Sequence, residues 1–177
     1  MRATSYVATS VDGFIARENG AIDWLPGFDP ADEEDYGYRK FIDSVDAIVM
    51  GRHTYELASS FPSWPYGAKP VVVLSSHYLE IPQNIAKTVE STRLAPRELV
   101  RCLVERGFNH LYVDGGRTIQ GFLRDGLIQR LIITKVPILI GSGIPLFGPL
   151  PYDVKLRHLQ TRQFENGLVQ SEYEVLA

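Results

Sequence analysis

Ala47-Ile48-Val49-Met50-Gly51-Arg52-His53-Thr54 and Leu111-Tyr112-Val113-Asp114-Gly115-Gly116-Arg117-Thr118 share one pattern: a short apolar run, glycine, then arginine and threonine entering a helix. A continuous apolar run of this length reads as a strand covered on both faces, as in a parallel sheet. Glycine lets a ligand approach the backbone, and the helix that follows presents unpaired N–H groups, which attract phosphate. Arg52, Thr54, Arg117 and Thr118 add side-chain donors at the same places. Ligands of an open parallel sheet bind at the C-terminal strand ends, so the pair reads as the seat of one dinucleotide, its pyrophosphate between the two junctions. One junction alone would be a tight strand-to-helix turn and no more. Neither a G-x-G-x-x-G fingerprint nor a G-x-x-x-x-G-K-S/T loop occurs.

Working outward, residues 3–10 read as a first strand, and Val71-Val72-Val73-Leu74 as another buried one ending in Ser75-Ser76-His77. Ser75 and Ser76, beside Arg52, suit a 2′-phosphate and so favour NADPH over NADH. Asp12-Gly13 opens a loop that runs to about residue 31, a length that usually carries function. The acidic run Asp32–Asp35, with Arg39 and Lys40 after it, predicts a helix whose charges oppose its macrodipole. Thr54–Ser60 predicts a short helix, and Pro96 and Gly107 bracket another over 96–106. Ile119, Phe122 and Leu123 mark a third that stops at Gly126. Leu131–Val136 is a strand, and Asn166-Gly167 predicts a type I′ hairpin between strands near 155–165 and 168–175. Strands alternating with helices give an α/β fold in a single domain over 1–177. Its central sheet is mixed and mostly parallel, with flanking helices and an antiparallel C-terminal hairpin.

Composition narrows the function classes. The 177 residues carry 18 basic and 21 acidic side chains, a formal charge of −3, with 45% hydrophobic residues. That is an ordinary globular balance, and it lacks the clustered Lys and Arg of a nucleic-acid surface. Any anion site must therefore draw its positive charge locally. The single cysteine, Cys102, lies in a helical pattern with Leu99, Val100, Leu103 and Val104 and is expected to be a buried, inert thiol. His53, His77, His110 and His158 are scattered, so no metal site is expected. No signal-peptide pattern opens the chain, and Leu131–Ile140 is too short and too interrupted to span a bilayer, so a cytoplasmic protein without a membrane partner is expected.

Met50-Gly51-Arg52-His53-Thr54-Tyr55-Glu56, Leu74-Ser75-Ser76 and Asp114-Gly115-Gly116 together resemble the dihydrofolate reductase superfamily. The closer similarity is to its branch containing the C-terminal reductase domain of the bifunctional riboflavin-biosynthesis protein and its stand-alone relatives. Ser10-Val11-Asp12-Gly13-Phe14-Ile15-Ala16, Ile22-Asp23-Trp24 and the stretch Pro137–Phe147 carry that likeness. The resemblance implies an eight-stranded mixed sheet, NADPH as hydride donor, a small-molecule substrate and a homodimer. By motif, Gly51, Arg52, His53 and Thr54 would bind phosphates and the adenosine end, Ser75 and Ser76 the 2′-phosphate, and Gly115, Gly116, Arg117 and Thr118 the pyrophosphate. Ala8 and Ile15 would flank the nicotinamide, and the loop holding Asn19 and Trp24 would close over it.

Reducing a C=N bond takes a hydride to carbon and a proton to nitrogen, and the usual proton source is a buried carboxylic acid with a raised pKa. Asp12, Asp23, Glu34 and Asp35 are the candidates. In folate reductases a first-helix carboxylate about sixteen positions before the Gly-Arg motif fixes the pterin, which lands on Asp35. Asp35 and Trp24 are thus the expected substrate-pocket residues, with Asp35 as acid. The resulting expectation is an NADPH-dependent reductase of a small pyrimidine- or pterin-like heterocycle. The alternatives are a non-catalytic NADP(H) sensor and a dihydrofolate reductase proper.

Overall fold

A computed structural model describes residues 1–25 and 34–176. An eight-stranded sheet runs β5-β4-β3-β6-β1-β7-β10-β9, made of β1 (Arg2–Ser10), β3 (Ala47–Gly51), β4 (Val71–Leu74), β5 (Val89–Thr92), β6 (His110–Asp114), β7 (Arg130–Val136), β9 (Leu156–Gln163) and β10 (Val169–Val175). β5, β4, β3, β6, β1 and β7 are mutually parallel; β10 is antiparallel to β7 and to β9. This is the mixed, mostly parallel sheet with a C-terminal hairpin that the alternation of elements predicts. β2 (Phe14–Ala16) and β8 (Ile144–Pro145) pair as a small ribbon beside it.

Both faces of the sheet are covered, which is why its central strands are apolar throughout. On one face Val49, Val72, Leu111, Val113 and Leu131 pack with Leu99 and Leu103 of α3 (Pro96–Glu105) and with Ile119, Phe122 and Leu123 of α4 (Gly116–Arg124). On the other, Ile48, Met50, Val71, Val73 and Tyr112 meet Phe41 of α1 (Tyr38–Ser44) and Tyr55 of α2 (Arg52–Ser59). Burying Phe122 and Ile119 completely contributes about 1.5–3 kcal/mol each.

Several local expectations are corrected. The acidic run does not open α1: Asp35 precedes it, Tyr36 (φ 55°) and Gly37 (φ 88°) are left-handed, and the helix begins at Tyr38. Residues 32 and 33 lie outside the described residues. α2 begins at Arg52 rather than Thr54, because extended Gly51 already serves as its N-cap. The loop from Asp12 contains β2, and its later part, 26–31, lies outside the described residues. The Asn166-Gly167 turn is not type I′, which needs positive φ at both central residues. Only Gly167 (φ 84°) has it, and Gly167 N–H closes the turn on Phe164 O. Cys102 is exposed, since α3 turns Leu99 and Leu103 inward and Cys102 away from them. No described helix is long and apolar enough to cross a membrane.

Candidate active site

The parallel strands β3 and β6 are neighbours, paired with Met50 opposite Asp114, so the two glycine junctions leave the sheet side by side. They touch. A Cβ on Gly115 would overlap Thr54 Oγ1 and approach Gly51 N to 3.9 Å; one on Gly51 would stand 3.0 Å from Thr118 Oγ1. Gly115 also holds φ 87°, which a side chain resists. A Cβ on Gly116 would meet Ile15 Cδ1 at 3.0 Å and Pro145 O at 3.1 Å, which brings the β2–β8 ribbon to the same spot. Gly51, Thr54, Gly115, Gly116, Thr118 and Ile15, far apart in sequence, thus form one cradle.

Two helices of eight and nine residues, α2 and α4, start in this cradle. Their first-turn N–H groups carry partial positive charge, and two such ends side by side repel unless an anion sits between them. Arg117 is exposed and, among the described residues, free of hydrogen bonds and ion pairs. Arg52 and His53 are instead braced by Glu56, at 3.4 and 3.2 Å. The residues present fit a phosphate-bearing cofactor.

Beyond β4, Ser75 Oγ donates to His77 O (2.9 Å) and accepts His77 N–H (3.2 Å), an ordinary hydroxyl turn. The same serine lines an open cavity of about 420 Å³ with His77, Tyr78, Leu79, Ser91, Thr92 and Arg93. Ser76 turns its hydroxyl to His77 Nδ1, and neither it nor Arg52 lines this cavity. The positive charge at the expected 2′-phosphate seat comes from Arg93, which no sequence motif marks. Tyr78, 87% exposed at its rim, offers a flat face. A larger concavity of about 500 Å³ lies at the opposite, N-terminal end of the strands. Two of its polar side chains are engaged: Lys69 Nζ donates to Val45 O, and Asp46 accepts Asn109 N–H and His110 N–H.

At the other end of the cradle, Ala8 packs against Trp24, Val136 and Leu168. Trp24 is core rather than an open lid, yet its indole N–H is buried without an acceptor among the described residues. Such donors are normally satisfied, so this orphan fits a bound group or water. Asn19 is exposed and gives its amide oxygen to Ala21 N–H (3.0 Å), which makes it a turn residue; its loop is tied by the Arg17–Asp23 ion pair at 2.6 Å.

Three of the four carboxylates read as proton donors are held ionised. Asp35 accepts Gly37 N–H (2.9 Å) and Arg39 N–H (3.0 Å), and these bonds pull its pKa below the ordinary range. It fastens the start of α1, and a lowered pKa is the reverse of what an acid needs. Asp12 is lowered by Ser10 and by the N–H groups of Gly141 and Ile140, which tie the two loops together. Asp23 is lowered by Arg17. Glu34 accepts Tyr36 N–H at 2.7 Å.

The carboxyl with the required property is Asp114, the last residue of β6. Burial raises its pKa to about 6, against the opposing bond from Gly115 N–H (2.7 Å). Protein surrounds it, yet it keeps accessible surface, as a group on a cleft floor does. It lies two residues past Tyr112, opposite Met50 of β3 and next to Gly115 of the glycine cradle. The sequence signal was present: Asp114 opens Asp-Gly-Gly, a motif read only for its glycines.

Fold and strand-end chemistry together define a dihydrofolate-reductase-like α/β domain. The chain belongs to the RibD C-terminal domain family, whose model matches residues 3–170. It is 36% identical to the uncharacterized protein YwjB of Bacillus subtilis (strain 168), covering 95% of this chain and 94% of that one. The crystal structure of a Shewanella sp. PV-4 protein provisionally assigned to riboflavin biosynthesis is 38% identical, with a TM-score of 0.92 and full coverage of both chains. A Thermotoga maritima diaminohydroxyphosphoribosylaminopyrimidine deaminase/5-amino-6-(5-phosphoribosylamino)uracil reductase shares the fold, with a TM-score of 0.76 at 13% identity. The match covers 99% of this chain and 56% of that one.

Proposed function

We propose that this protein is an NADPH-dependent reductase of a small planar heterocycle. The observation that carries the reading is the contact between the two glycine junctions, where Gly115 leaves room only for Thr54 and two helix N-termini converge. Gly51, Thr54, Gly115, Gly116 and Thr118 would hold the pyrophosphate, with Arg117 screening it. Ser75 and Arg93 would take the 2′-phosphate and Tyr78 the adenine face. Ala8 and Ile15 would border the nicotinamide. Membership of the RibD C-terminal family and the reductase named for the Thermotoga maritima neighbour support this assignment.

When bound, the cofactor supplies a hydride to the carbon of a substrate C=N bond. Asp114 holds the proton that the nitrogen requires: its carboxyl donates to that nitrogen and is later reprotonated from water. A carboxyl with a pKa near 6 retains a proton on an appreciable fraction of molecules at neutral pH. A sensor would have no use for such a group, so Asp114 favours turnover over mere binding. The test is the loss of nicotinamide absorbance with pyrimidine and pterin substrates, for the unaltered protein and for Asp114→Asn. Turnover that drops about 100-fold or more in the variant is expected; an unchanged kcat would remove Asp114 from the reaction.

A further inference from the structure

The ribbon that walls the cradle is too small to hold itself in place. β2 has three residues and β8 two, and their ladder has two pairs, Phe14 with Pro145 and Ala16 with Ile144, separated by a register shift. Proline has no N–H to give, and a lone two-stranded ribbon is at best marginal in water. Yet this ribbon lies close on the first turn of α4. Ile15 Cδ1, Pro145 O and Ile144 Cγ2 stand 3.0, 3.1 and 3.5 Å from where a Cβ on Gly116 would be. A weak element seated this closely needs ties from outside it.

Those ties form two groups, one at each end of the ribbon. At one end Asp12 spreads its carboxylate over the loop before β8: Oδ2 accepts Gly141 N–H (2.8 Å) and Oδ1 accepts Ile140 N–H (3.3 Å). Beside it Val11 N–H reaches Ile138 O (2.9 Å), and Ser10 Oγ accepts Phe14 N–H (3.0 Å), which fixes the turn into β2. At the other end Gln120 of α4 donates to Pro145 O (3.0 Å) and Leu146 O (3.4 Å), while Leu146 N–H closes on Gly13 O (3.0 Å). The turn at Asp12-Gly13 is itself closed by Gly13 N–H on Ser10 O (3.0 Å), so the Asp12 carboxylate is not needed for it. That carboxylate is used across the chain instead, and charge-assisted bonds are the stronger kind. Asp12 is also exposed, so it contributes its bonds and not core packing.

Resting on the reductase reading, we propose that Asp12 is a positioning residue for the nicotinamide end of the cofactor: its bonds to Gly141 and Ile140 fix the ribbon so that Ile15 stands against Gly116 as the wall behind the ring. Asp12 acts through Ile15 and Pro145 and takes no part in the chemistry. A ribbon free to drift widens the slot for the ring. It leaves the adenosine end, at Ser75 and Arg93 beyond β4, as it was. Loss of the tie therefore separates the two halves of one ligand.

The test compares two ligands on the full chain. NADPH is titrated by tryptophan fluorescence. Adenosine 2′,5′-bisphosphate, which keeps the 2′-phosphate and lacks the nicotinamide, is titrated by calorimetry. In Asp12→Asn the side chain keeps its size but exchanges one acceptor for an amide that faces an N–H. The variant is expected to bind NADPH about tenfold more weakly and the bisphosphate within about twofold of the unaltered protein. The emission of the bound dihydronicotinamide at saturation should fall toward its value in water. Gln120→Ala, which frees the other end of the same ribbon, should give the same split. Unchanged NADPH affinity in Asp12→Asn overturns the proposal, and so does an equal loss of both ligands, which is what a general loosening of the fold produces. An unaltered protein that binds neither ligand refutes the reductase reading itself.

Discussion

Gly115→Ala probes the contact on which the site depends. The substitution forces alanine into φ 87°, at about 1–2 kcal/mol for a left-handed residue. It also drives a Cβ into Thr54 Oγ1, an overlap of the kind that costs about 1–3 kcal/mol in a packed region. The sum, about 2–5 kcal/mol, corresponds to a Tm drop of about 5–15 °C for a domain of this size. Thr54→Ala removes the overlapping oxygen but leaves the backbone strain. Thermal melts of both single variants and the double variant should therefore show a coupling of about 1–3 kcal/mol, with the double variant more stable than additivity allows. Affinity for NADPH should not return with stability, because Thr54 is itself part of the cradle. Additive melting effects would mean that Gly115 and Thr54 are not in contact, and the reasoning about the cradle would fail with them.

Other consequences follow from the titrating groups and the cofactor cavity. Asp114 has its pKa raised from 3.8 to about 6, so its ionisation opposes folding: the full benefit is present below about pH 4 and is lost as pH rises through about 6. The effect is up to about 3 kcal/mol, discounted for its residual exposure. Asp114→Asn should raise Tm at pH 8 and not at pH 4.5, while kcat of the unaltered enzyme falls as pH rises through about 6. Asp35 has the opposite sign: its stabilising bonds to Gly37 and Arg39 are present above its ordinary pKa and fade as pH falls through the lowered one. Asp35→Ala should cost about 1 kcal/mol in a urea melt at pH 7 and leave the pH profile of kcat unmoved. Arg93→Ala should weaken NADPH about tenfold and leave NADH unchanged in the same fluorescence titration.

The sheet was legible because its strands announce themselves: Ala47–Met50, Val71–Leu74 and Leu111–Val113 are buried on both faces and read as unbroken apolar runs. The two glycine junctions were legible as well, since only a strand end that meets a helix needs that spacing. The acid was not. Asp35 sits at a suitable chain distance from Gly51, but spacing carries no information about the backbone N–H groups that hold it ionised. Asp114 acquires its raised pKa from burial, which depends on how the chain packs around the end of β6 and not on the residues beside it in sequence. Cys102 departs from the expected buried thiol because Val100 and Val104 make an apolar surround in sequence, whereas α3 buries Leu99 and Leu103 and leaves Val104 46% exposed. The charge balance of −3 is compatible with a local anion site: seven of the 21 carboxylates lie between Glu18 and Tyr38 in sequence, while Arg93 lines the proposed cofactor cavity.

The most direct test of the central claim is an equilibrium titration of the purified protein with NADPH and with NADH, read by tryptophan quenching and by calorimetry. Saturable one-site binding of NADPH at micromolar concentration is expected, at least about tenfold tighter than NADH and abolished by Gly115→Ala. No saturable binding of either nucleotide up to millimolar concentration would contradict it.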